Sequence, residues 1–205
     1  MVDVRDKGAV GDGTTDDSAA FARGVAAVRG SGGTLLVPAG DYRIDPDTPV
    51  SLGSHMTLRL APGAVLRALA SDRESYYVVL VRDAVDVDIV GGRVVGDRAI
   101  HQGTTGEWGH GVGVISSRRV HIQGVHSREA WGDGFYIGGQ GTSRVTLCRV
   151  EAAENRRQGV SITYGRDVVI RGSVFRDTHG TEPEAGIDVE PNGHEHVTDI
   201  VLWHN

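Results

Sequence analysis

The sequence predicts an all-β, right-handed parallel β-helix, closed at its N-terminal end by one short α-helix. Three observations predict it. The first is repetition: GHGVGVI at 109–115, GDGFYI at 132–137, RQGVSI at 157–162 and EAGIDVE at 184–190 each place a glycine ahead of a short apolar run. Gly111, Gly134, Gly159 and Gly186 follow one another at steps of 23, 25 and 27 residues. A period of that length with two or three short strands per unit is the mark of a stacked solenoid. The second observation is alternation. Val112/Val114, Phe135/Ile137, Val160/Ile162 and Ile187/Val189 lie two apart, which puts each pair on one face of a strand and excludes helical spacing. The third is the recurrence of a second run, VHIQGV at 120–125, VTLCRV at 145–150 and VVIRGSVF at 168–175, with Val114 six residues before Val120 and Ile162 six before Val168. Leucine-rich repeats share the period, but their LxxLxL pattern is absent.

Each element follows in order. TTDD at 14–17 precedes AAFARGVAAV, and Thr15, Asp16 and Asp17 suit a helix start. Phe21, Val25 and Val28 share a helical face, so a helix is predicted over about 17–29, ended by Gly30, Gly32 and Gly33. It covers the strand edges that an open solenoid would expose. GGTLLVPAGDYRI at 32–44 starts the first coil and HMTLRLAPGAVLRAL at 55–69 the next. YYVVLV at 76–81 and VDVDIVGGRVVGD at 85–97 repeat the six-residue register between Val81 and Val87. Residues 97–109 break the period and read as an inserted loop, where binding residues tend to concentrate. HVTDIVLWHN at 196–205 resembles another second run. The whole of 1–205 reads as one domain. Its C-terminal end suggests a truncated piece, a covering homo-oligomer partner, or closure by Trp203.

Composition narrows the partners. The formal charge is −6, with 27 acidic and 21 basic residues and no basic stripe, which argues against nucleic acid. An acidic polysaccharide would be repelled unless arginines gather locally. The single Cys148 excludes a disulfide framework. No apolar run approaches a membrane span, and the N-terminus has no signal-peptide pattern.

GAVGDGTTDDSAAF followed by GGTLLVPAGDYRI resembles the opening of the pectate-lyase-like β-helix superfamily. GEWGHGVGVI, WGDGFYIGG, NRRQGVSI and AGIDVEPN extend the resemblance along nearly the whole chain. The superfamily includes polygalacturonase-type hydrolases, related lyases and phage tailspikes. The resemblance implies a polysaccharide or oligosaccharide lying along one outer face of the coil, and an extracellular or phage-associated setting.

With each rung glycine as position zero, +1 and +3 point inward and +2 and +4 outward. Column neighbours then sit roughly 5 Å apart. His110, Asp133 and Gln158 precede the glycines, with Arg156 and Arg157 beside them; Tyr136, Ser161 and Asp188 occupy +2, and Thr163 and Glu190 occupy +4. Polygalacturonases carry catalytic aspartates and a histidine at such positions. Asp133 and His110 match by type, but Gly132 replaces the second carboxylate and the order of rungs is reversed. A lyase or epimerase needs a cation for a uronate carboxylate and a base for the neighbouring proton. Arg156 or Arg157 suits the first role; His110 or Tyr136, with Asp133 orienting the histidine, suits the second. Asp-Gly-Phe at 133–135 also occurs in mannuronan epimerases, whose following residues differ from YIGG.

The expectation is therefore an enzyme on a uronate-containing glycan. His110, Asp133, Tyr136, Arg157 and Asp188 are its catalytic candidates. Trp108, Trp131, Arg156, Gln158, Ser161 and Glu190 are its candidate substrate contacts. The alternative is a non-catalytic glycan-binding or tailspike-like module, or a bare structural solenoid, in which His110 satisfies a turn, Asp133 bonds its own backbone and Asp188 and Glu190 form a solvated face. No cofactor is expected. Asp188 and Glu190 could hold Ca²⁺, and His194 and His196 form an HxH without a visible third ligand.

Overall fold

A computed structural model describes all 205 residues. Three sheets wind around one core, of eight, seven and six strands, and every neighbouring pair is parallel and three strands apart in sequence over most of the chain. One rung reads Asp133–Gly138, Ser143–Cys148, Glu151–Ala153, after which Gln158–Ile162 pairs with Asp133–Gly138 in the same register. This is the predicted parallel β-helix.

Val112 pairs with Phe135, Phe135 with Val160, and Val160 with Ile187, which brings their preceding glycines into one file. The file needs glycine for room. A Cβ on Gly111 would lie 2.8 Å from the Gly134 carbonyl oxygen, and one on Gly134 would lie 2.8 Å from that of Gly159. The inward positions are sealed: Val112, Val114, Phe135, Ile137, Val160 and Ile162 are all buried and belong to one continuous apolar cluster. In the eight-stranded sheet Val87, Val120, Val145 and Val168 stack in register, as do Ile89, Ile122, Leu147 and Ile170. Aligned side chains of similar shape fill a narrow core.

The helix runs Ser18–Val28, and Phe21, Val25 and Val28 are buried beneath it. Phe21 meets Tyr42 edge to face at 5.5 Å. Its start differs from expectation in one respect. Asp16 accepts from the Ser18 N–H at 2.9 Å, whereas Asp17 turns away and accepts from the N–H groups of Val10 and Gly11. Asp17 thus ties the N-terminal segment to the helix.

No strand lies between Arg93–Val95 and Trp108–Ile115, where the inserted loop was placed. Its base is a buried knot. Asp97 accepts from the Ser71 N–H and hydroxyl and from the Tyr76 phenol, and faces His101 Nδ1 at 2.8 Å. Val197–Trp203 pairs with Gly165–Arg171 as the second-run reading expects. No helix is long and apolar enough to cross a membrane.

Candidate functional site

The outer face of the six-stranded sheet carries a cleft of about 390 Å³. Tyr77, His110, Tyr136 and Thr163 line it from successive strands, and Arg157, Glu190, Glu107, Trp108, Ser75 and Asn192 complete the wall. The −1, +2 and +4 columns therefore all reach one place.

Beneath the cleft lies a buried polar layer. His110, Asp133, Gln158 and Ser161 are fully buried. His110 Nδ1 accepts the Asp133 N–H at 3.1 Å, which places the ring proton on Nε2. The same Nδ1 is 3.3 Å from Asp133 Oδ2. That contact is no ion pair, because burial drives both groups toward neutrality. Burial, then the Arg157 charge, pulls His110 down to about 3. Burial pushes Asp133 up to about 7, against the opposing pull of Arg157 and the Ser161 hydroxyl. Ser161 donates to Asp133 Oδ2 at 2.8 Å. His110 Nε2 has no partner, and its ring stacks on Tyr136 at 4.9 Å and lies 5.4 Å from Tyr77.

Arg157 links this layer to the cleft. Its Nη1 is 3.4 Å from both Asp133 oxygens and its Nη2 donates to Glu190 Oε1 at 2.8 Å. Its Nε lies 3.5 Å from Glu107 Oε2. Burial alone would lower this guanidinium, but Asp133, Glu190 and Glu107 outweigh it and hold it above its usual range. Gln158 also donates to Glu190 Oε1, at 3.1 Å. Glu107 and Glu190 are each about one-third exposed and Trp108 is half-exposed, so these groups are open to solvent at the cleft. Burial pushes the Tyr77 phenol up to about 12, and it raises Tyr136 as well.

The structure thus gathers His110, Asp133, Tyr136, Arg157, Gln158, Ser161, Glu190 and Trp108. It places three candidates elsewhere. Asp188 pairs with Ser161 in register but does not line the cleft. Trp131 stacks on His101 at 3.9 Å, and the Arg156 guanidinium lies 3.8 Å over its ring while donating to the Gly106 carbonyl oxygen. Both therefore hold the inserted loop. Glu107 and Tyr77 were missed. Tyr77 pairs with His110 and so occupies the −1 column one rung earlier, where Val78 stands in place of the glycine. Glu107 belongs to the loop that breaks the period. No three His, Cys, Asp or Glu side chains cluster as metal ligands.

A family model described as rhamnogalacturonase A/epimerase, pectate lyase-like, matches residues 1–202. The uncharacterized protein YclG of Bacillus subtilis is 23% identical over 94% of this chain and 38% of its own length. The mannuronan C5-epimerase AlgE2 of Azotobacter vinelandii is 31% identical over 85% of this chain and 16% of its own length. The chain thus spans well under half of these relatives. Among solved structures, a putative glycosyl hydrolase from Parabacteroides merdae superposes with a TM-score of 0.73 at 17% identity, covering 98% of this chain and 93% of that one. The tailspike protein gp49 of Acinetobacter baumannii bacteriophage Fri1, a capsular polysaccharide depolymerase, superposes with a TM-score of 0.71 at 16% identity, over 98% of this chain and 39% of that one. At these identities the likeness shows the fold.

Proposed function

The chain belongs to the rhamnogalacturonase A/epimerase family of pectate lyase-like proteins, and from that premise we propose that its cleft hydrolyses a glycosidic bond in a polysaccharide. One observation carries the reading: two partly exposed carboxylates, Glu107 and Glu190, face the cleft and share the Arg157 guanidinium. That shared link keeps the two contacting oxygens no more than roughly 9 Å apart, short of the roughly 9.5 Å upper limit of the carboxyl pairs of glycoside hydrolases. Glu190 is fixed through Oε1 by Arg157 and Gln158, which leaves Oε2 to take a proton from water. Glu107, with one long contact of 3.5 Å to Arg157, is the less tightly paired carboxyl and takes the acid role, giving the leaving oxygen a proton that it must first carry. Trp108, beside it, offers a flat apolar face to a sugar ring. His110 and Asp133 are buried and act as positioning residues for Arg157.

The charge balance sets the substrate. Arg157 is already paired with Glu190 at 2.8 Å and stands beside Glu107 and Asp133, which favours an uncharged sugar unit in the cleft. This moves away from the uronate recognised by Arg157 that the sequence suggested. Proton abstraction is less well served: the Tyr77 phenol is pushed up to about 12, His110 is pulled down to about 3, and Asp133, which burial brings to about 7, lies fully buried beneath the cleft. The second reading, a uronate-directed lyase or epimerase, is favoured by the 31% identity to AlgE2.

The test is product analysis on neutral and uronate-containing polysaccharides. Hydrolysis gives new reducing ends without unsaturated uronate absorbance, and Glu107→Gln and Glu190→Gln each slow it by at least about 100-fold. An unsaturated product, or an epimerised chain of unchanged length, establishes the second reading. Saturable glycan binding without turnover establishes a non-catalytic module.

A further inference from the structure

The chain carries net charge −6, so an acidic glycan is repelled wherever arginines do not gather. They gather on the outer face of the seven-stranded sheet, away from the cleft. Its strands Gly40–Ile44, Ala64–Ala68, Arg93–Val95 and His126–Arg128 each contribute an arginine: Arg43, Arg67, Arg93 and Arg128. Val95 pairs with Arg67 on one side and Arg128 on the other, and Arg93 lies two residues before it on the same face. Val65 pairs with Arg93, and both valines are buried although they face outward. The arginine stems cover them. A depression of about 350 Å³ lies over this floor.

The three arginines that line the depression, Arg67, Arg93 and Arg128, differ in their partners. Arg67 grips Asp41 through Nε and Nη2, at 3.1 and 2.8 Å. Arg128 reaches Glu129 and Glu154, each at 2.8 Å. Arg93 is exposed and lines the same depression, and its side chain makes no ion pair or hydrogen bond within the chain. Two arginines are therefore held in place and the third has all its donors free. A guanidinium in that state matches a carboxylate in bidentate fashion.

We propose that Arg93, set between Arg67 and Arg128 over Val65 and Val95, forms a second glycan site that takes a carboxylate-bearing sugar unit. It is independent of the reaction assigned to the cleft. It gives acidic residues of a mixed polysaccharide a place on the face with free positive charge, while the carboxylate-walled cleft takes a neutral unit.

Calorimetric titration of the 205-residue protein with an oligogalacturonate, at low and raised salt, tests it. The expected result is saturable binding that weakens as salt rises. Arg93→Gln weakens it about fivefold to tenfold, the scale of one charge-assisted contact, and Arg93→Glu weakens it further. Glu107→Gln and Glu190→Gln leave it unchanged, and the methyl-esterified oligomer binds at least about fivefold more weakly. The thermal midpoint of each variant is read alongside, and it stays at the wild-type value because Arg93 is exposed and unpaired. Absence of binding, equal binding by Arg93→Glu, equal binding of the ester, or binding altered by Glu190→Gln overturns the proposal.

Discussion

Two buried Asp–His pairs lie in this coil, and they are built differently. Asp97 and His101 sit at the base of the inserted loop, and Asp133 and His110 under the cleft; all four side chains are fully buried. In both pairs Nδ1 faces the carboxylate and Nε2 has no partner. Asp97 is gripped by Ser71 twice, by the Tyr76 phenol and by His101 at 2.8 Å. Asp133 receives one short hydroxyl contact from Ser161, and Arg157 stands off at 3.4 Å. The closed pair pins a loop. The under-bonded pair leaves the Arg157 charge to be shared with Glu190 and Glu107. A carboxylate's neighbours, more than its burial, separate an anchor from a site support.

The largest effect that sharpens this contrast is at the anchor. Asp97→Ala strands the Tyr76 and Ser71 donors and His101, and costs about 3–5 kcal/mol in denaturant unfolding. Hydrogen exchange in residues 97–107 accelerates with it. A loss below about 1 kcal/mol, the worth of a single ordinary hydrogen bond, breaks the comparison.

The next effect is in pH dependence at the under-bonded pair. Asp133 has a folded pKa raised from 3.8 to about 7, so its contribution to stability is fully present at low pH and is lost as pH rises across that window. His110 has a folded pKa lowered from 6.5 to about 3, so its contribution is present above 6.5 and is lost as pH falls. The two slopes oppose one another and nearly cancel between roughly pH 4 and 6.5. Asp133→Asn removes one of them, and stability then rises with pH over that range by up to about 3 kcal/mol, at about 1.4 kcal/mol per unit. His110→Gln gives the mirror image, stability falling as pH rises. Denaturant midpoints measured across pH check both, and two flat profiles contradict the assignment of a neutral pair.

The smallest effect is at the stack. Trp131→Leu removes the face that His101 and Arg156 cover, and costs about 1–2 kcal/mol with faster exchange in the loop. An unchanged loop shows that the Asp97 cluster holds it alone.

Much of the coil is legible in the sequence because its cause is local and repeated. Gly111, Gly134 and Gly159 recur because the next rung's backbone leaves no room for a Cβ, Gly186 continues their file, and their inward partners alternate because strands do. The backbone irregularity near the start of each strand in the eight-stranded sheet is not legible. Asp86, Arg119, Arg144 and Asp167 all take left-handed φ between 55° and 58°, one in each successive strand, although none is glycine. Stacking against identical bends above and below imposes what propensity would refuse. The candidate site divides in the same way. His110, Asp133 and Glu190 follow from column arithmetic. Tyr77 hides because Val78 replaces the marker glycine, and Glu107 hides because its loop has no register. The Asp97 knot draws on Ser71 and Tyr76 in the preceding rung, which no spacing rule connects to it.

The most direct measurement is cleavage of polysaccharide in heavy-oxygen water, followed by mass analysis of the products. Hydrolysis in the cleft puts one heavy oxygen in each new reducing end, and Glu190→Gln loses that product. An unsaturated product free of heavy oxygen, or the same labelled product from Glu190→Gln at the wild-type rate, contradicts it.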